Sequence, residues 1–367
     1  MPKDKTLQNP RTALLISRIR AASKLALSTT LEASNLFENE MVSTEVPMIN
    51  VALSGLIDGG ITSGSTVLAG PSKHFKSSFG LLMVAAYLKK YPESACLFYD
   101  SEFGSPKSYF KSFGIDETRV FHSPITNIEE LKFDLVSQLN TLNRGDKVII
   151  MIDSIGNLAS KKEVEDAINE KSVADMTRAK ALKGLFRMVT PILKLKDISM
   201  ISIAHTYETQ EMYSKTIVSG GTGITYSADN IWILGRQQDK DDEGLHGYRF
   251  VINVEKSRFV KEKSKIMITV GFDKGIQRYS GLLDVAIAGG FVIKPKNGWY
   301  VAYNPSTKKE LSKSTREEQT FDKSFWDVIF NNTDFKKYVE STFSLGNTEM
   351  LASHSNSSND GDAAEAN

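Results

Sequence analysis

The stretch that decides the fold reads Thr66-Val67-Leu68-Ala69-Gly70-Pro71-Ser72-Lys73-His74-Phe75-Lys76-Ser77-Ser78. An apolar strand ends at the glycine, and a helix is predicted to begin at the Lys-Ser pair. This is the layout of a phosphate-binding loop, G-x-x-x-x-G-K-[ST], with Phe75 in place of the second glycine. Loop N–H groups favour an anion, Lys76 can reach terminal phosphates, and the Ser77 hydroxyl can join Mg²⁺. A plain strand–turn–helix is the alternative, so other segments must decide.

Phe75 also raises a conformational question. Glycine adopts a positive φ at little cost, whereas a bulky residue does not. We therefore expect the loop either to keep φ negative at Phe75 or to be strained there.

Composition restricts the class of protein. The 367 residues carry a net charge of +1, with 24% charged and 41% hydrophobic residues, which is typical of a soluble globular protein. No bulk basicity indicates nucleic acid, so any DNA site must be a local patch. The single cysteine, Cys96, excludes an intrachain disulfide framework and favours the cytoplasm. No apolar run reaches the roughly 18 residues of a membrane span, and no signal peptide is recognisable.

Residues 1–45 are predicted to be mostly helical. Their apolar positions recur at helical spacing, with basic residues between them. A short amphipathic helix outside a core packs on its own chain or on a neighbour, so we expect a contact of this kind. The positions of the stripe are Leu15, Ile16, Ile19, Ala22 and Ala26.

Residues 46–280 alternate between strand and helix patterns. Such alternation predicts an α/β fold, a twisted and mostly parallel sheet with helices on both faces. Pro191 is predicted to kink or interrupt the helix at 173–195. The main predicted strands are 66–69, 95–100, 120–122, 147–153, 198–204, 230–234 and 248–254, and the other helices are 76–91, 106–113 and 127–142.

Two further units follow. Residues 281–345 are predicted to form a small unit with Trp299 and Tyr300 as anchors and helices at 323–330 and 335–344. Residues 346–367 contain acids, Ser, Asn and Ala without Lys or Arg, which is typical of a disordered acidic tail.

Three polar residues follow predicted strands at their carboxyl ends, where open α/β sheets bind ligands. Asp153 suits a Mg²⁺-holding Walker B acid, or alternatively a helix N-cap. Glu102 suits the base that activates an attacking water, or alternatively a solvated loop acid. His205 suits a phosphate sensor, or alternatively a structural residue, and it precedes a glycine-rich, aperiodic stretch at 207–226.

In their order and their residues these sequence blocks resemble those of the RecA-type recombinases, in particular the UvsX-type branch from T-even-like bacteriophages. The resemblance spans about residues 45–345 and includes a Phe in the phosphate loop. It implies a RecA-like P-loop ATPase core with a small C-terminal α+β unit. The blocks that carry it are 70–77, 97–104, 153–162, 205–211, 253–258 and 294–300.

The resemblance implies roles at matching positions. Glu102 is expected to be the catalytic base, and His205 the γ-phosphate sensor. Lys256 and Arg258 are expected to reach a neighbouring subunit's ATP in trans, as arginine fingers do. Tyr109 is expected to lie beside the adenine. The loop 70–78 is expected to bind the phosphates, with Mg²⁺ held by Ser77 and Asp153.

Two loops are expected to bind DNA. The first spans about 160–172 and is followed by Arg178, and the second spans 207–226. Glycine lets backbone approach phosphate without reading sequence. The DNA-binding candidates are Lys161, Lys162, Arg178, Tyr207, Met212, Tyr213, Gly220 and Gly221.

The resemblance implies an ATP-dependent DNA recombinase that forms a helical filament on single-stranded DNA and pairs it with homologous duplex DNA. It implies a phage-encoded protein in the host bacterial cytoplasm, with residues 1–45 as a polymerisation segment. A recombination mediator and a single-strand-binding protein are the implied partners. Two alternatives stay open, a RecA-core replicative helicase and a non-hydrolysing mediator or paralogue. Glu102 argues against the second, since such proteins can dispense with the base.

Overall fold

The computed structural model describes residues 9–36, 40–169, 177–209, 215–241 and 244–346. Within these residues, nine strands form one sheet in the order β11-β10-β9-β8-β1-β5-β4-β2-β3, while β6 and β7 form a separate hairpin. The pairs from β8 through β1, β5, β4 and β2 to β3 are parallel, and the pairs from β8 to β11 are antiparallel. The strands are β1 (Gly64–Ala69), β2 (Ala95–Asp100), β3 (Val120–Pro124), β4 (Val148–Asp153), β5 (Ser199–Ala204), β6 (Thr206–Glu208), β7 (Thr216–Val218), β8 (Asn230–Asp241), β9 (Gly244–Lys256), β10 (Lys265–Gly271) and β11 (Gly275–Ile276).

Helices cover both faces of this sheet. Alternate residues of β4 point to opposite sides, so Ile149 and Met151 join one apolar cluster and Ile150 and Ile152 join the other. The predicted α/β fold with a mostly parallel, doubly covered sheet is therefore confirmed. The helices up to residue 227 are α1 (Pro10–Ala22), α2 (Pro47–Ser54), α3 (Lys76–Lys90), α4 (Lys107–Ser112), α5 (Ile128–Thr141), α6 (Lys161–Ile168), α7 (Thr177–Lys196) and α8 (Thr222–Ser227), with a 3₁₀ turn at Glu117–Arg119.

Of the kink or interruption predicted at Pro191, the interruption is wrong, because α7 continues through it to Lys196, and the kink stays a prediction. Proline removes one backbone donor and crowds the preceding turn, which strains an isolated helix. Here Val189 and Leu193 are fully buried on either side of it. Their packing against the sheet holds the helix together across the defect.

The prediction that residues 1–45 are mostly helical is also wrong for the residues described there, 9–36 and 40–45. Within the described part of that segment, α1 is the only helix, and Ser23 ends it with backbone bonds to Ile19 and Arg20. No α1 residue in the described chain is buried, and the side chains of Leu15 and Ile19 are 53% and 61% exposed. The apolar stripe is therefore open to a partner.

The C-terminal unit packs onto the same apolar cluster as α2. Trp326 is fully buried there, stacked between Tyr279 and Phe335, and its indole N–H donates to the Thr320 carbonyl at 2.6 Å. The elements are α9 (Leu282–Ala288), β12 (Val292–Lys296), β13 (Trp299–Asn304), β14 (Lys309–Glu310), β15 (Thr315–Arg316), a 3₁₀ turn at Glu317–Phe321, α10 (Lys323–Asn332) and α11 (Phe335–Phe343).

The other two tryptophans lie in different settings. Trp232 is fully buried on β8 and donates to the Ala52 carbonyl at 3.2 Å. Trp299 is partly exposed on β13, with Lys296 and Arg316 over its ring at 4.7 and 4.4 Å. Among the described helices, none combines the length and apolar character that a membrane span needs.

Candidate nucleotide-binding site

The phosphate-binding loop joins β1 to α3, and Phe75 within it adopts φ 62° and ψ 19°. This left-handed conformation is the one in which a bulky residue is strained, by about 1 kcal/mol or more. The Phe75 ring stacks on Phe250 at 5.1 Å and meets Phe79 edge-on at 5.3 Å. Two such aromatic contacts contribute about 0.5–1.5 kcal/mol each, enough to offset the strain. The loop thus keeps the backbone that glycine gives and anchors it through a ring.

Lys76 begins α3 and is buried, with its ammonium donating to the Pro71 carbonyl at 2.8 Å. Burial lowers the pKa of Lys76, while the nearby carboxylates of Glu102 and Asp153 raise it. Next along the helix, the Ser78 hydroxyl hydrogen bonds the Tyr109 phenol. Tyr109 therefore lies next to the start of α3, and its expected place beside an adenine stays a prediction.

Asp153 ends β4 and is only 3% exposed. Burial raises its pKa to about 6, assisted by Glu102 and Asp100 and opposed by a hydrogen bond from Ser77. Its Oδ1 atom is buried and has no hydrogen-bond partner among the described residues. An orphaned carboxylate oxygen beside a hydroxyl suits a hard cation that prefers oxygen ligands. The residues present therefore fit the Mg²⁺ expected at Ser77 and Asp153.

Glu102 follows β2, and three side chains converge on its Oε1 atom. The donors are Ser154 Oγ at 2.6 Å, His205 Nε2 at 2.9 Å and Asn157 Nδ2 at 3.2 Å. Burial alone would raise the pKa of Glu102, but the bonds from Ser154 and His205 outweigh it and hold the pKa below its usual range. Glu102 and His205 are thus in direct contact, which the sequence did not reveal.

Asp100 fixes the backbone at Glu102 through hydrogen bonds, a contribution that the sequence did not indicate. Its Oδ1 accepts the backbone N–H groups of Glu102 at 3.1 Å and Phe103 at 2.8 Å. Its Oδ2 faces His122 Nε2 at 3.2 Å. An acid two residues before a candidate base is the available signal, since Asp commonly caps a turn in this way.

A cleft of about 750 Å³ at the carboxyl edge of the parallel strands is lined by Lys76, Glu102, Tyr109, Asp153 and His205. Three lining residues beyond the motifs were also missed, and the sequence carries no signal for them. Arg236 donates to the Lys73 carbonyl at 3.1 Å and lies 4.7 Å above the Tyr248 ring, which meets Phe272 edge-on. The wall opposite α4 is therefore aromatic and cationic, suited to a nucleotide.

Lys256 and Arg258 lie away from this cleft. Arg258 pairs with buried Asp229, which accepts the backbone N–H of Ser65 at the start of β1, the far edge of the sheet from the phosphate loop. Lys256 donates to the Thr225 carbonyl at 2.7 Å, at the end of α8. Neither side chain lines its own chain's cleft.

The two segments expected to be DNA-binding loops contain regular structure. The described part of the first begins as α6, and the second contains the β6–β7 hairpin and α8. The aperiodic stretch 207–226 thus contains regular structure in its described residues, 207–209 and 215–226. Lys161 and Lys162 lie exposed on the first turn of α6, and Tyr207 is 54% exposed on β6.

The remaining DNA candidates have different settings. Arg178 donates to backbone carbonyls of Ile155, Gly156 and Leu158, so the structure gives it a clear structural contact. Gly220 and Gly221 have φ of 113° and 79° and lead into α8. Met212 and Tyr213 lie outside the described residues.

Comparison with known proteins agrees with this architecture. The family profile described as RecA N-terminal domain matches residues 23–277. The profile described as Bacteriophage T4, Recombination and repair protein, C-terminal domain matches residues 279–339.

Individual relatives agree as well. The Recombination and repair protein of Enterobacteria phage T4 is 53% identical over 337 residues, 90% of this chain and 86% of that protein. Protein RecA of Streptomyces venezuelae is 26% identical over 265 residues, 71% of this chain and 67% of that protein. Protein RecA of Borreliella afzelii is 23% identical over 292 residues, 75% of this chain and 77% of that protein. The chain therefore belongs to the RecA family.

Proposed function

We propose that this chain is an ATP-dependent DNA recombinase that polymerises on single-stranded DNA and exchanges it with homologous duplex DNA. Family membership and the phage T4 relative support the reaction class. The observation that carries the ATPase is the convergence of Lys76, Asp153, Glu102 and His205 on one cleft. A cation, an orphaned acid, a candidate base and a candidate sensor are what phosphoryl transfer to water requires.

In this proposal the loop N–H groups and Lys76 bind the terminal phosphates, with Tyr109 beside the base. Ser77 and Asp153 would hold Mg²⁺, which when bound would supply positive charge beside the phosphate oxygens. Glu102 accepts a proton from the attacking water. His205 senses the γ-phosphate and passes its presence to the β6–β7 hairpin, which follows it directly.

We propose that the site is completed by a neighbouring subunit. Lys256 and Arg258 lie at the sheet edge opposite the phosphate loop, which suits contact with another subunit's nucleotide. The exposed apolar side of α1 suits packing on that neighbour. The order of units is a polymerisation segment at 1–45, an ATPase core at 46–280, a small unit at 281–345 and an acidic tail at 346–367 that competes with DNA.

DNA contact is proposed for Lys161, Lys162 and Tyr207, with Met212, Tyr213, Gly220 and Gly221 in the second loop. Backbone and cationic contacts of this kind bind any sequence. A phage recombination mediator and single-strand-binding protein are the proposed partners in the host bacterial cytoplasm.

Electron microscopy with single-stranded DNA and a non-hydrolysable ATP analogue tests the proposal. We expect a helical filament on the DNA, whereas closed rings would favour a replicative helicase. Phosphate release measured with and without DNA provides the second arm. DNA-stimulated release is expected, and its absence would favour a non-hydrolysing mediator.

A further inference from the structure

Arg178 closes a short loop onto the body of the protein. The loop, residues 154–158, connects β4 to the segment before α6, and we name it the latch loop. Arg178 Nε donates to the Leu158 carbonyl at 2.8 Å, and its Nη2 donates to Gly156 at 2.6 Å and Ile155 at 3.3 Å. A single guanidinium thus donates hydrogen bonds to three of the five backbone carbonyls of this loop.

The latch loop in turn holds the candidate base. Ser154 and Asn157 supply two of the three donors on Glu102 Oε1. The third donor, His205, lies directly against the loop, because a Cβ added to Gly156 would come within 2.5 Å of the His205 ring. Any shift of the loop therefore changes all three hydrogen bonds to Glu102 at once.

The helices on both sides of the latch loop, α7 and α6, are fixed in place. Arg178 is the second described residue of α7, whose buried Leu182 and Leu185 fix the helix on the sheet. At the other side, a capping box between Ser160 and Glu163 fixes the start of α6. The latch loop is held between two anchored helices, and the guanidinium connects the loop to α7.

We propose that Arg178 is a positioning residue that couples DNA binding to hydrolysis. Without DNA it keeps the latch loop on Glu102, whose Oε1 is then occupied by three donors. A DNA phosphate that binds Arg178 draws the guanidinium away, the loop relaxes, and the carboxylate becomes available to the attacking water. This inference rests on the proposed ATPase function and adds the route by which DNA stimulates it.

The exchange of partners follows from guanidinium chemistry. Neutral carbonyls accept single hydrogen bonds, whereas a phosphate accepts a bidentate, charge-assisted pair that is roughly twice as strong. A guanidinium stays protonated throughout, so the exchange needs no proton transfer. The Arg178 guanidinium therefore cannot hydrogen bond the loop and the DNA phosphate fully at the same time.

The first test measures phosphate release without DNA and with saturating oligo-dT. For Arg178→Ala we expect the DNA-free rate to rise by up to about tenfold, the effect of removing one charged hydrogen bond. The saturated rate should stay near that of the wild type, so the stimulation ratio falls. Lys180→Ala, which removes an exposed cation from the same helix, should leave the DNA-free rate unchanged.

A DNA-free rate of Arg178→Ala at or below that of the wild type overturns the coupling, even if DNA affinity falls. Asn157→Ala provides an independent test, because Asn157 is an exposed loop residue and its substitution leaves α7 and Arg178 unchanged. It should raise the DNA-free rate in the same direction. If Arg178→Ala shows no cooperative thermal unfolding transition, the variant has not folded. The DNA-free rate of Asn157→Ala then tests whether the loop restrains Glu102.

The double variant distinguishes one route from two. If both residues act through the latch loop, the double variant should match the larger single effect, because coupled residues are not additive. A rise equal to the product of the single effects would overturn the shared route. A wild-type protein that releases no phosphate under any condition would instead overturn the proposed function itself.

Discussion

Two aspartates are buried at opposite edges of the same sheet. Asp153, at the carboxyl edge, is 3% exposed, and its Oδ1 has no hydrogen-bond partner within the described chain. Asp229, at the far edge, is 1% exposed and faces Lys194 at 3.2 Å and the Arg258 guanidinium, with a backbone bond from Ser65. Asp229 Oδ1 makes no hydrogen bond of good geometry, yet Arg258 lies against it.

The difference supports the ligand site proposed at the carboxyl edge and shows a carboxylate at the far edge whose charge is already paired. Asp153 has no ion-pair contact among the described residues, and the more distant Lys76 and the Ser77 hydroxyl compensate its burial only in part. A buried carboxylate between two cations supports the fold instead. At the carboxyl edge, Asp153 therefore keeps an oxygen without a partner in the described chain. At the far edge, Asp229 holds Arg258 in position.

The largest expected effect comes from the carboxyl edge. Lys76→Ala should lower DNA-stimulated ATP hydrolysis by about 10²-fold or more, because the lost ammonium stabilises transferring phosphate charge. Phosphate release under saturating DNA measures it. Lys89→Ala, at the exposed end of the same helix, is the matched control and should be unaffected. Undiminished turnover of Lys76→Ala would contradict the phosphate-loop assignment.

The far edge is tested by mixing subunits. Lys256→Ala and Glu102→Gln should each lose hydrolysis alone, because each removes one half of a shared site. Mixed in equal amounts, they should recover activity at about a quarter of the interfaces, those with both halves intact. Filaments must be verified in the same samples. A mixture no more active than its components would argue against action in trans.

The two aspartates should respond to the same substitution with opposite signs. Asp153 prefers its proton when folded, since its pKa rises from 3.8 to about 6. Wild-type stability contributed by this group is therefore lost as pH rises between those values. Asp153→Asn should thus be more stable than the wild type by on the order of 2–3 kcal/mol at pH 8, with the gain shrinking toward pH 4.

Asp229→Asn should instead destabilise the protein by about 1–2 kcal/mol, because Lys194 and Arg258 lose their shared anion. Urea unfolding without nucleotide or Mg²⁺ measures both variants. Two losses of equal size would show that the edges do not differ in the way described. Asp153→Asn should also lose Mg²⁺-dependent nucleotide binding, which Asp229→Asn should keep.

The smallest expected effect concerns Phe75. Phe75→Gly relieves the positive-φ strain but loses the contacts with Phe250 and Phe79, so stability should fall by about 1 kcal/mol. Phe75→Leu keeps the strain and loses the stacking, and should fall further. Urea midpoints of the two variants give the order. A stabilised Phe75→Gly would mean that strain exceeds the aromatic contacts.

Five of the parallel strands could be predicted to within two residues at each end, whereas β8 continues seven residues beyond its predicted end at 234. A strand buried on both faces must be apolar at every position, and 148–152 is such a run. The residues at the carboxyl ends of these strands then follow, because parallel strands share one edge. This is why Asp153, Glu102 and His205 could be named together.

Other features depend on contacts that sequence patterns do not carry. The strands β6 and β7 have three residues each, too few for alternation to be recognised. Arg236 and Asn157 reach the site only through tertiary packing. The helix α6 is different, since Ser160 and Glu163 form a capping box whose S-x-x-E spacing was readable.

The placement of the tryptophans gives the protein three optical reporters. Trp232 reports on the sheet beside the phosphate loop, Trp326 on the C-terminal unit, and Trp299 on a surface where two cations flank the ring. Replacing two of them with Phe would leave one emission signal from a known location. The order in which core, C-terminal unit and surface respond to nucleotide or DNA could then be followed by fluorescence, without any attached dye.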